Sequence, residues 1–100
     1  MTYAIQPYTR NQADKLGVQV RPSSKTHKKI DILRNGKLIA SVGDDRYKDF
    51  PTYRKLELDG KITKGTAEKR REAYHARHVG YVERRNGEYT PGFLAGRLLW

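Results

Sequence analysis

The chain has 100 residues, 21 Lys/Arg against 11 Asp/Glu and a formal net charge of +10, with only 36% hydrophobic residues. That length holds one domain with a thin core, and the absence of cysteine excludes disulfides and thiolate metal sites. The opening residues lack an apolar leader, and no stretch approaches the roughly 20 apolar residues of a membrane span, so a soluble protein made where thiols stay reduced is expected.

The charge is uneven. Residues 1–29 and 61–85 each carry an excess of +5, whereas 30–60 and 86–100 sum to zero. Two positive blocks around a neutral centre point to a polyanion or an acidic protein surface as partner.

Residues 1–28 show no sustained period. Tyr3, Ile5, Tyr8, Leu16, Val18 and Val20 are scattered, and Arg21-Pro22-Ser23-Ser24-Lys25-Thr26 has linker composition. The segment reads as an extended basic arm, with at most a short strand at Val18-Gln19-Val20, that orders only against a partner. A separate small α+β domain is expected over residues 29–100.

Its clearest element is a hairpin: Lys29-Ile30-Asp31-Ile32-Leu33-Arg34, then Asn35-Gly36, then Lys37-Leu38-Ile39-Ala40-Ser41-Val42. Asn-Gly supplies the two positive φ angles of a type I′ turn. A regular ladder would oppose Leu33 to Leu38 and Ile32 to Ile39. Ile30, Ile32, Ile39 and Ser41 then share one face, and Leu33, Leu38, Ala40 and Val42 the other. Both faces would need cover, one of them from a partner.

Asp49 is placed to cap a short helix opening on Phe50-Pro51, with Phe50, Tyr53 and Leu56 on one side and Asp59-Gly60 at its end. A longer helix follows over 67–79, with Thr66 as cap, Glu68 in the first turn and Gly80 past the end. One of its stripes is Arg70, Tyr74, Arg77 and Tyr81, a second is Arg71, His75 and His78, and Ala73 and Ala76 leave a narrow side open to close approach. Thr90-Pro91 opens a last helix over 91–99, and this apolar tail, with Phe93, Leu94, Leu98 and the terminal Trp100, either closes the core or anchors in a partner's groove.

No catalytic constellation emerges. His75 and His78 are two ligands without a third, Asp44, Asp45 and Asp49 lack the spacing of a calcium loop, and neither a phosphate-binding glycine loop nor a nucleophile elbow is present. The expectation is a binding protein without metal, cofactor or small-molecule substrate, with a small nuclease the one enzyme class left open. Lys61, Lys64, Lys69, Arg70, Arg71, Arg77, Arg84 and Arg85, interleaved with Tyr74 and Tyr81, form the candidate polyanion site. Lysine and arginine bind phosphate by releasing counterions, and tyrosine stacks on bases. Tyr3, Ile5, Tyr8, Phe93, Leu94, Leu98 and Trp100 are the candidate protein-contact residues.

The hairpin, Arg46-Tyr47-Lys48-Asp49-Phe50-Pro51-Thr52-Tyr53, the run from Glu68 to His78, Pro91-Gly92-Phe93 and the closing Leu98-Leu99-Trp100 together resemble a family. It comprises short basic proteins encoded by large double-stranded DNA viruses of algae and protists, and the likeness covers residues 29–100. The resemblance implies a protein made in the host cytoplasm and carried in the virion. The role expected first is a minor capsid component bridging larger subunits, the major capsid protein among them, on the inner side of the shell; the alternative is a packaged DNA-binding protein without sequence preference.

Overall fold

The computed structural model describes residues 3–100 and shows an α+β fold of four helices, a three-stranded antiparallel sheet and a two-stranded ribbon. In chain order these are α1 (Pro7–Leu16), β1 (Gln19–Pro22), β2 (Lys28–Arg34), β3 (Lys37–Asp44), α2 (Phe50–Leu58), α3 (Thr66–Arg77), β4 (Arg84–Arg85), β5 (Glu88–Tyr89) and α4 (Pro91–Leu98). No helix among the described residues is long and apolar enough to cross a membrane.

Residues 3–28 are not an extended arm. From Tyr3 onward they belong to the fold, while Met1 and Thr2 lie outside the described residues. Pro7 opens α1, and Gly17, at φ 71°, closes it in the left-handed conformation that glycine adopts without strain. The buried side of this helix is Thr9 and Ala13, residues too small to register as an apolar stripe. The Thr9 hydroxyl donates to the Leu98 carbonyl at 2.8 Å, and Gln12 reaches the Arg97 carbonyl at 3.1 Å. Val18 is buried beyond the turn, and β1 pairs with β2 from Gln19 opposite Leu33 to Pro22 opposite Ile30. The division into an arm and a domain at residue 28 therefore gives way to one continuous core.

The Asn-Gly hairpin forms, with φ 52° at Asn35 and 80° at Gly36, but its ladder is not regular. Arg34 opposes Lys37 and Leu33 opposes Leu38 as expected; Ile32 then faces Ala40, because the register shifts between Ile32 and Leu33. Ile39 is the extra residue of this bulge. The shift puts Ala40 and Val42 on the side of Ile30 and Ile32, so the apolar residues gather on one face. Across the middle of the other face Arg21, Asp31 and Ser41 stand in register. Asp31 accepts from the Ser41 hydroxyl at 2.7 Å and from Arg21 Nε at 3.3 Å. Burial would raise the Asp31 pKa, yet the hydrogen bonds from Ser41, Ser23 and Arg21 outweigh it and hold the carboxyl below its ordinary value. The second face thus carries its own polar ladder. Replacing Gly36 with Val, a residue that resists positive φ, is expected to cost about 1 kcal/mol or more in thermal unfolding, and an unchanged midpoint would contradict the turn.

The core combines Ile30 and Ile32 of the sheet with Leu94, Leu98 and Leu99, each 0–1% exposed, and with Ala13 and Val18. Tyr3, Ile5 and Leu16 pack around it. Leu94 and Leu98 are therefore core residues and not partner contacts, and the last helix is the lid of the core. Its start is capped as the sequence indicates, with the Thr90 hydroxyl accepting from the Phe93 amide at 3.3 Å. Gly43 meets this lid closely: a Cβ there would stand 2.8 Å from Leu99 Cδ1, and its φ of 86° also favours glycine.

Asp49 does more than cap α2. One carboxylate oxygen accepts from the Thr52 amide at 3.0 Å. The other accepts from Lys29 Nζ at 2.9 Å and from the Tyr3 hydroxyl at 2.6 Å. The Lys29 and Asp49 side chains are only 6% and 1% exposed, so the pair is sealed between the sheet, α2 and the start of the chain. Burial, reinforced by the Asp49 charge and hydrogen bond, pushes the Tyr3 hydroxyl far above its ordinary pKa.

Candidate nucleic-acid interface

Helix α3 buries only Ala67 and is the most polar of the four helices. Its start differs from expectation. Thr66 is the first helical residue, its hydroxyl donating to the Thr63 carbonyl at 2.7 Å, and Gly65 occupies the cap position at φ 93° without a side chain to offer. Glu57 of α2 supplies the missing acceptor, taking the Ala67 amide at 2.5 Å with a carboxylate that is 4% exposed. Ala73 and Ala76 are exposed, so the narrow side they leave faces solvent.

Two basic residues of α3 lie across aromatic rings of α2. The Arg71 guanidinium stands 4.7 Å from the Phe50 ring centre and that of Arg70 stands 5.6 Å from Tyr53. Such cation–π contacts hold the charge at the surface while covering apolar area. Arg71 also approaches Glu68 at 3.9 Å. Lys61, Lys64 and Lys69 are exposed, and none makes an ion pair among the described residues.

Along the other side of α3 runs an aromatic ladder. Trp100 stacks on Tyr74 at 4.5 Å with 6° between the planes, Tyr74 on His78 at 4.0 Å and 22°, and His78 leans on Tyr81 at 5.5 Å. His78 Nδ1 lies 2.8 Å from the Tyr74 carbonyl, and His75 Nε2 lies 3.3 Å from the Trp100 carbonyl. Gly92 lets the Tyr81 ring settle on α4, since a Cβ there would stand 3.0 Å from it. Burial raises the Tyr74 pKa, with Tyr81 adding to the effect and Arg77 opposing it, so Tyr74 stays a neutral phenol. Trp100 and Phe93 thus act inside the fold: Trp100 ties α4 to α3, and Phe93 stacks with Tyr89 at 5.2 Å. Tyr8, likewise, lies edge-on to Phe50 at 5.2 Å, and Ile5 packs against the core.

Arg84 and Arg85 are not on α3. They form β4 of a second Asn-Gly hairpin, with φ 53° at Asn86 and 80° at Gly87, which strands of two residues without an apolar run left unannounced. The Arg84 and Arg34 guanidinium groups both stand over the Tyr89 ring, at 4.5 and 5.0 Å. Arg34 also pairs with Glu88 at 3.3 Å, joining this ribbon to the main hairpin. Arg85 is exposed.

The structure adds residues that the charge count passed over. The loop that follows Asp44, residues 45–48, borders two clefts, of about 450 and 580 Å3, and both are lined by Lys29, Tyr47 and Lys48. Arg46 grips Asp44 through two hydrogen bonds of 3.0 and 2.7 Å, which hold the Asp44 carboxyl far below its ordinary pKa. Lys48 is exposed and has no acidic partner among the described residues. The neutral total of residues 30–60 concealed it, because the acids that balance it on paper are engaged elsewhere.

No protein-family profile, curated protein or solved structure matches this chain.

Proposed function

We propose that the protein binds nucleic acid without sequence preference and is a packaged component of a virus particle. The observation that carries the binding role is the make-up of α3 and its surroundings. Exposed Lys61, Lys64, Lys69 and Arg77 lie on α3 or in the segment leading into it, together with the Arg70 and Arg71 guanidinium groups seated on the rings of α2. Cations give affinity for phosphate irrespective of sequence. Helix α3 is too polar to be a core element, so its residue choice favours what it meets outside. The viral setting rests on the resemblance over residues 29–100.

A second reading, a minor capsid component bridging subunits on the inner side of the shell, keeps one supporting feature. Val79, Tyr81 and Val82 are 78, 51 and 52% exposed, apolar surface that phosphate binding does not require. The bridging arm on which that reading leaned is folded into the core.

The test is the salt dependence of duplex binding. The logarithm of affinity should fall linearly with that of salt concentration. Changing Lys61, Lys64 and Lys69 to Ala should reduce the slope by about 0.9 for each phosphate that no longer has a cation against it. Different duplex sequences should bind alike. Binding that persists unchanged to about 0.5 M salt would contradict a phosphate-based role and point to a protein partner.

A further inference from the structure

The smaller of the two clefts, about 450 Å3, lies between the loop of residues 45–48 and the α3–α4 side of the fold, and its size suits a ligand of one nucleotide. Its chemistry is mixed in the way such a ligand requires. Lys48 and Arg77 line it, and neither has an acidic partner among the described residues. The other charged side chains at its wall are already matched: Lys29 is held by Asp49, and Asp44 by Arg46. The side chains of the cleft therefore leave two unpaired positive charges, Lys48 and Arg77. Its aromatic members divide into two kinds. Tyr74 is sandwiched between Trp100 and His78 and has no free face. Tyr47, 69% exposed, makes no aromatic contact among the described residues and is free to stack.

We propose that this cleft holds one unstacked nucleotide of a single strand, with its phosphate between Lys48 and Arg77 and its base on the Tyr47 ring. This deepens the nucleic-acid role proposed above and rests on it. A strand fits better than a free nucleotide because the cleft does not end at Tyr47. The larger cleft, about 580 Å3, shares Tyr47 and Lys48 with it and is lined further by Lys28, by Asp45, which lies against His27, and by Arg46, which is held by Asp44. A strand crossing the loop would keep Tyr47 between two successive bases, with Lys48 and Arg77 on one side and Lys28 on the other. Duplex DNA, whose bases are paired and stacked, presents only its phosphates to such a surface and makes no use of the ring.

The full-length protein and its Tyr47→Ala and Arg77→Ala variants are titrated with three probes: a short oligothymidylate, a duplex of equal length, and thymidine monophosphate. Both side chains are exposed, so melting midpoints should match the parent and serve as the folding control. Removing one base–ring stack should weaken the oligothymidylate roughly tenfold in Tyr47→Ala, and leave the duplex within about twofold. Arg77→Ala should weaken both strand types and flatten their salt dependence. An unchanged oligothymidylate affinity in Tyr47→Ala, or an equal weakening on both strand types, overturns the cleft while leaving the broader nucleic-acid role standing. Monophosphate binding as tight as that of the strand assigns the cleft to free nucleotides and overturns the strand assignment. A parent protein that binds neither strand removes the broader role, and this inference with it.

Discussion

Lys29→Met should destabilise the protein by about 3–5 kcal/mol, the usual cost of leaving one half of a buried ion pair behind. Methionine fills the same space, so the loss arises from charge and not from a cavity. Asp49, its side chain 1% exposed, would keep only the Thr52 amide and the Tyr3 hydroxyl as donors. Neither carries a charge, and the raised pKa of Tyr3 reflects how poorly that pocket tolerates a second anion. The pair itself need not be strongly stabilising against an apolar replacement. That distinction makes Lys29→Met with Asp49→Asn the decisive companion. Asparagine still caps α2, so the double variant should recover a substantial part of the loss. Chemical denaturation of the four proteins measures it. A single-variant loss under about 1 kcal/mol would mean that water reaches the pair.

Deletion of residues 1–17 should abolish cooperative unfolding altogether. A domain of this size has a total stability of about 5–15 kcal/mol, and the deletion removes one wall of its core. Ala13 leaves the cluster formed with Leu94, Leu98 and Leu99, and the Leu98 carbonyl loses the Thr9 hydroxyl. Tyr3 also leaves the Asp49 clasp. Circular dichroism should then show a shallow, non-cooperative melt, with binding of a dye that reports exposed apolar surface. Thr9→Val isolates one hydrogen bond and should cost about 1 kcal/mol. A truncated chain that melts sharply near the parent midpoint would restore the segment to the status of an appendage.

The features legible in the sequence are those written in adjacent residues. Asn35-Gly36, the Asp49 cap ahead of Phe50-Pro51, and Thr90-Pro91 each satisfy a local backbone requirement, and each forms where expected. The α+β class follows from them. Helix α1 was hidden although Pro7 and Gly17 mark both its ends, because its buried side is Thr9 and Ala13 and depends on what Leu98 offers across the fold. The bulge at Ile39 was equally invisible, since only the packing of β2 and β3 against the helices selects which side Ala40 and Val42 take. At the candidate interface, the basic stretch from Lys61 to Arg77 was legible as composition. The cleft beside Tyr47 and Lys48 was not, because it depends on which partners Asp44 and Asp49 choose. Ion pairing is a three-dimensional choice, and a running charge total cannot record it.

The stack of Trp100 on Tyr74 has an optical consequence. The chain contains one tryptophan and seven tyrosines, and the indole lies 4.5 Å from the Tyr74 ring and 6.5 Å from the Tyr53 ring. Phenol excitation at that range passes to the indole, so its emission reads the seam where α3, α2 and the end of α4 meet. Far-ultraviolet dichroism reads all four helices together. Monitoring both signals separates the undocking of α3 from the melting of the sheet and core, and the protein carries the probe for this in its native sequence.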